Sequence, residues 1–110
     1  MKKKHFDEEA YRRVSVNNLI LFSVYLAAGN KNKCGFEKLV RQSFVLFPKV
    51  FSFPGILKWP DSRKLDRPLR TLRKKKLIVG DPRTFFSLTK AGKKAAEEIA
   101  KTFRQEKLKL

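Results

Sequence analysis

Residues 77–88 constrain the fold of this chain more than any other stretch. Leu77-Ile78-Val79 is a β-rich run, Gly80-Asp81-Pro82-Arg83 is a turn signal, and Thr84-Phe85-Phe86-Ser87-Leu88 is a second β-rich run. Two such runs joined by a turn read as a hairpin. Phe85 and Phe86 are adjacent, so they point to opposite sides of their strand. One is expected in the core, the other against the first helix or a partner. The clearest signals on both sides of this hairpin are helical, so the expected class is mainly α with a small β-hairpin.

The first clear helix is expected from Val16 to Ala28, capped by Ser15 and ended by Gly29-Asn30. Leu19, Phe22 and Leu26 form its stripe, widened by Ile20, Val24 and Tyr25, so it should be buried on most sides. A basic loop, 29–35, leads to a second helix from Phe36 to Phe47. Its buried face is Phe36, Leu39, Val40, Phe44 and Phe47, and Pro48 stops it. Residues 48–60 hold three prolines and a glycine and read as a non-helical loop. They also carry Val50, Phe51, Phe53, Ile56, Leu57 and Trp59, so the loop should be packed, as core or as an interface, with base stacking as the alternative use. A third helix runs from Asp61 or Ser62 to about Lys75, with Leu65, Leu69 and Leu72 at i, i+4 and i+7. Pro68 predicts a kink in it, and the early leucine period favours this long helix over a start at Asp66. Thr89 caps a last helix, from Lys90 to Phe103 or beyond, with Ala91, Ala95, Ile99 and Phe103 inward and Glu97–Lys101 paired outside. Residues 1–14 form a charged leading segment with room for one short helix through Phe6, Ala10, Tyr11 and Val14. A single domain then spans 15–104, and 105–110 form a fraying tail.

Composition sets the class of partner. The chain has 110 residues, with 27 Lys and Arg against 10 Asp and Glu, a formal charge of +17. Folding so much like charge costs self-repulsion, which makes an anionic partner the natural expectation. No apolar run is long enough to span a membrane, and Asp7-Glu8-Glu9 interrupts what would otherwise resemble the start of a signal peptide. Cys34 is the single cysteine and His5 the single histidine, so no internal disulfide and no zinc site is expected. No phosphate loop, paired carboxylates or nucleophile–histidine pair is visible. The expectations are therefore a non-enzyme without cofactor or metal, no small-molecule ligand, no membrane, and a cytoplasmic location.

The segments Leu72-Arg73-Lys74-Lys75-Lys76-Leu77-Ile78 and Phe86-Ser87-Leu88-Thr89-Lys90-Ala91-Gly92, in the order helix, helix, helix, hairpin, helix, resemble a winged helix-turn-helix domain. The resemblance covers about residues 16–103. Lys76 stands where the family commonly has glycine, and about 13 residues join helices two and three, against the 3–4 of a usual helix-turn-helix turn. The resemblance implies a recognition helix at about 61–75 that enters the major groove of DNA and a wing at about 77–88 whose Arg83 reaches the minor groove or the phosphates.

The residues of the third helix point the same way. At about 100° per residue from Leu65, the leucines fall within a narrow stripe, while Arg63, Arg67, Arg70 and Lys74 fall opposite, with Thr71 beside them. Arginine can pair bidentately with guanine or phosphate. Asp66, at the border, is the nearest acid. Arg73, Lys75 and Lys76 favour phosphate. Ser62, at the helix N-terminus, is placed to bind a phosphate. Residues 61–94 hold twelve Lys and Arg against three Asp, a net +9 over 34 residues. The expected DNA-binding set is Ser62, Arg63, Arg67, Arg70, Thr71, Lys74, Arg83 and Thr84, with double-stranded DNA as partner and a small transcription regulator or accessory protein as the role. One module makes few base contacts, so a homodimer through the N-terminal segment or last helix is a plausible second partner. The alternatives are a protein–protein adaptor in a nucleic-acid-containing assembly and an RNA binder.

Overall fold

The computed structural model describes residues 8–29, 33–81 and 83–108. The chain is mostly helical with two small antiparallel sheets. Its centre is α2 (Val16–Ala28), which buries Leu19, Ile20, Leu21, Phe22, Ser23, Val24, Ala27 and Ala28. A helix this apolar can be buried on most sides, provided its buried polar side chain, Ser23, is satisfied. Ser23 does so within the helix, its hydroxyl donating to the Leu19 carbonyl at 2.9 Å. Ser15 caps the helix as expected, accepting the Asn18 N–H at 3.2 Å. Leu26 does not join the stripe; it is exposed, as is Val16 at the other end.

Around α2 pack α3 (Phe36–Leu46), α5 (Asp66–Lys74) and α6 (Lys90–Leu108). A one-turn helix, α1 (Glu8–Tyr11), comes first. Tyr11 is fully buried edge-on against Phe47, with ring centroids 4.9 Å apart, and its hydroxyl accepts the Lys49 N–H at 3.3 Å. The packed core therefore begins before residue 15, and α6 runs on to Leu108 past the expected start of a tail. Phe6 and His5 lie outside the described residues. In α6, Ile99 and Phe103 are buried, but Ala96 takes the inner place expected of Ala91, which is exposed. Lys101 pairs with Glu98, 3.6 Å away, rather than with Glu97. Both acids lie within one turn, and a fully exposed pair gains little from either choice.

The hairpin expected at 77–88 is present as β4 (Ile78–Gly80) and β5 (Phe85–Leu88), paired Ile78↔Leu88 and Gly80↔Phe86. The sequence reading missed a third strand. β1 (Cys34–Gly35) adds to β5, pairing Cys34↔Phe86, so that the order is β1-β5-β4. Phe86 is completely buried and Phe85 half exposed, the opposite orientations expected of neighbours on a strand.

Two motifs lock this sheet to its neighbours. The end of α5 is a Schellman motif: the Leu77 N–H donates to the Leu72 carbonyl and the Lys76 N–H to the Arg73 carbonyl, both at 3.0 Å. Lys76 takes the left-handed position, at φ +61, that glycine usually fills. At the other end, the Thr89 hydroxyl accepts the Gly92 N–H at 3.0 Å and lies 2.8 Å from the Lys76 carbonyl, its acceptor. A Cβ on Gly92 would sit 1.8 Å from the Leu77 carbonyl oxygen, so only glycine lets α6 approach the sheet this closely. Leu88-Thr89-Lys90-Ala91-Gly92 is thus a structural clasp.

Residues 48–60 differ from the expected loop. Pro48 does not exclude a helix, because at the first helical position its missing N–H costs nothing; α4 (Pro48–Phe51) is a single turn with Phe51 buried. A second hairpin follows, β2 (Ser52–Phe53) and β3 (Ile56–Pro60), turned by Pro54-Gly55 with Gly55 at φ +82, as a type II turn requires. The expectation that the whole segment is packed fails at Phe53 and Trp59, which are 36% and 57% exposed.

The long third helix is also revised. Ser62–Leu65 form a 3₁₀ turn, and the α-helix begins at Asp66. Pro68 then lies in the first turn of α5, where the N–H it lacks would have no intrahelical partner. The expected kink is realised as a change of helix type just upstream.

Candidate nucleic-acid interface

α5 is the most strongly two-sided helix in the chain. Pro68, Leu69 and Leu72 are buried beneath it, while Arg67, Arg70, Arg73 and Lys74 are exposed. Burial of the leucines against α2 fixes which side faces out, and the cations follow from their spacing. Arg67, Arg70, Thr71, Arg73 and Lys74 border one open depression. Arg63, Lys64, Asp66, Arg67, Arg70 and Thr71 border a second, which reaches Val16 and Asn17 at the start of α2. The shared residues join the two into a continuous basic surface along α5.

The cations on this surface are not equivalent. Among the described residues, Arg67, Arg73 and Lys74 have no ion-pair partner. Arg70 has one: its guanidinium contacts the Asp66 carboxylate at 2.6 Å, an i,i+4 pair in which both side chains are about two-thirds exposed. An anion could displace that pair at little cost. The acid at the border of the arc is thus a partner of the face rather than a bystander.

Arg63 lies outside α5, on the 3₁₀ turn, and is committed to Asp61. Nε donates to one carboxylate oxygen at 3.1 Å and Nη2 to the other at 3.3 Å, while the Arg63 backbone N–H donates to the same carboxylate. The hydrogen bond from Arg63 holds the Asp61 carboxyl below the usual carboxylate range, against an opposing effect of burial. Asp61 also occupies the place proposed for a phosphate at Ser62. Ser62 is exposed, but the free N–H at the start of the turn is already taken by a buried carboxylate, which would repel a second anion. The Asp61-Ser62-Arg63 spacing is the sequence signal of this pair, and a helical wheel that winds residues 61–65 as α-helix hides it.

The turn between β4 and β5 carries Arg83 and Thr84, both exposed. Asp81 shapes it by accepting the Arg83 N–H at 2.8 Å. Pro82 lies outside the described residues. The structure thus brings Arg63, Arg67, Arg70, Thr71 and Lys74 together, whereas Arg83 and Thr84 stand on the β4–β5 turn, away from both depressions.

Two exposed rings absent from the expected set, Phe53 and Trp59, lie close to Arg63 at the edge of the second depression. The Arg63 guanidinium sits 5.4 Å from the centre of the exposed Phe53 ring, and Phe53 contacts Trp59 edge-on at 6.4 Å. Lys64 stitches the base of this hairpin to the 3₁₀ turn, its Nζ donating to the Val50 and Ser52 carbonyls at 3.1 Å each. The Pro54-Gly55 dipeptide between two apolar stretches was the sequence signal for this second hairpin.

Cys34 is buried, and burial pushes its thiol up from the ordinary value, so it is a poor nucleophile. No His, Cys, Asp and Glu cluster able to hold a metal occurs among the described residues, and no described helix is long and apolar enough to cross a membrane. No family model matches the chain, and neither curated proteins nor solved structures give a match.

Proposed function

We propose that this chain is a winged-helix module that binds double-stranded DNA, with α5 laid in the major groove and the β4–β5 hairpin as its wing. The observation that carries the proposal is the outer face of α5: among the described residues Arg67, Arg73 and Lys74 have no ion-pair partner and Arg70 pairs with an exposed carboxylate, with two leucines directly beneath. A helix about 10–12 Å across fits a groove of about 12 Å. Arginine supplies both phosphate contacts and bidentate contacts to guanine, and Thr71 adds a small adaptable group between them. The strand order β1-β5-β4 and the Schellman turn from α5 into β4 support the winged-helix arrangement. The role proposed is that of a small regulator or accessory protein acting without a bound cofactor or catalytic step.

The test is anisotropy of labelled random-sequence duplex DNA across a salt series. Log affinity should fall linearly with log salt, in proportion to the phosphates neutralised. Arg67→Ala with Lys74→Ala should make that slope shallower by about two and weaken binding, with unfolding unchanged. Wild-type affinity and slope in a folded double variant would reject α5 as the contact surface. Selection of bound duplexes from a random pool then separates a sequence-specific regulator from a general binder.

A further inference from the structure

The hairpin Ser52–Pro60 puts apolar surface where a small domain should hide it. Trp59 is 57% exposed and Phe53 36%. The cause lies in the strand register. Phe53 pairs with Ile56, yet Ser52 pairs with Pro60, so residues 57–59 bulge out of the ladder. Bulges re-aim side chains in this way, and this one displaces Lys58 and Trp59 outward together. The hairpin is nonetheless firmly held. The Asp61 N–H donates to the Phe51 carbonyl at 2.8 Å, and Lys64 Nζ bridges the Val50 and Ser52 carbonyls. The rings are thus presented by a fixed support that leads directly into α5.

The charges around the rings select the occupant. Asp61 is the single acid between Lys49 and Leu65, and it is buried beneath Arg63. Lys58 adjoins Trp59, and Arg63 covers one face of Phe53. A second copy of the chain docking here would bring like charges together. A group that is flat, apolar on its faces and joined to negative charge meets both conditions, and a nucleobase on its phosphate backbone is such a group. In an intact duplex the base faces are covered by stacking. We propose that Trp59, propped edge-on by Phe53, stacks on an unpaired base, so that the preferred ligand is a duplex carrying a single-stranded extension. Lys58, exposed beside Trp59, supplies a cation for the backbone of the stacked base. The proposal rests on the duplex-binding assignment of α5 and names its substrate class.

Trp59 is the only tryptophan in the chain, so its emission reports the contact directly. The probes are a short blunt duplex and the same duplex with a single-stranded thymidine extension at either end. The extension should raise affinity roughly tenfold and quench Trp59 emission, whereas the blunt duplex should leave emission nearly unchanged. By anisotropy with labelled DNA, Trp59→Ala should abolish the preference while keeping blunt-duplex affinity, and Trp59→Phe should restore most of it. Equal affinity for both ligands with unaltered emission overturns the proposal and leaves the duplex assignment standing. Emission that responds to an acidic peptide or to anionic lipid vesicles, but to no oligonucleotide, also overturns it. If the wild type ignores blunt duplex, the α5 assignment falls, and the stacking proposal is then judged by quenching with the single-stranded thymidine oligomer alone: quenching supports it, its absence rejects it.

Discussion

The two hairpins of this protein are built from similar residues and serve opposite purposes. The hairpin β4–β5 turns Ile78 and Phe86 inward, where both are fully buried, and leaves Val79 and Phe85 on its outer face; a third strand covers one edge, and Thr89 and Gly92 clasp its base. The hairpin β2–β3 is two-stranded and bulged, and it turns Phe53 and Trp59 outward. Hydrophobic burial holds the first. The second is held at its base by polar bonds from Lys64 and Asp61 and by the buried Phe51 beneath it. A hairpin held at its base by polar bonds can expose both of its rings, Phe53 and Trp59, whereas one held by hydrophobic burial must commit Ile78 and Phe86 to the core.

Replacement of one ring in each hairpin tests this contrast most sharply. Phe86→Ala should cost about 3–5 kcal/mol of stability in denaturant unfolding, because the ring is completely buried. Trp59→Ala should change stability by less than about 0.5 kcal/mol. Equal losses would break the distinction. Next in size is the clasp. Gly92→Ala should destabilise by about 2 kcal/mol, since its methyl group must displace the Leu77 carbonyl.

Lys76→Gly should act in the opposite direction and stabilise by about 1 kcal/mol, because Lys76 holds a left-handed conformation. The same variant should weaken DNA binding slightly if the lysine meets phosphate, which separates the cost of the turn from the use of its charge. The smallest effect concerns the second hairpin. The Asp61 carboxyl is lowered by its bond from Arg63, so its contribution is complete above the ordinary carboxylate pKa of about 3.9 and is lost as pH falls through the lowered folded value. Melting of wild type and Asp61→Asn should therefore differ near neutral pH and converge in acid. A difference that persists unchanged in strong acid would show that the carboxylate charge is not what holds the turn.

Much of this arrangement was legible in the residues. Ser15, Gly29 and Thr89 marked helix ends by local hydrogen bonding, and the period of Leu65, Leu69 and Leu72 oriented the cation face. Legibility failed where the chain departed from a uniform period. A wheel at 100° per residue put Arg63 on the face of α5, but residues 62–65 wind as a 3₁₀ turn and Asp61 claims the guanidinium. Leu26 and Ala91 fit their stripes yet find no neighbour to bury them. Two-residue strands such as Cys34–Gly35 carry no periodicity at all and exist only because β5 offers an edge.

Local sequence alone determined the class of the chain, the order of its main helices, the β4–β5 hairpin and the concentration of positive charge, because caps, turns and hydrophobic periods act over a few residues. Tertiary structure decided which cations are free, which aromatic rings are exposed and how the clasp closes. Those outcomes depend on contacts between segments distant in the chain, such as Tyr11 on Phe47, Lys64 on Val50, and Gly92 against Leu77. Such contacts exist only once burial of the apolar faces has set the helices and hairpins against one another.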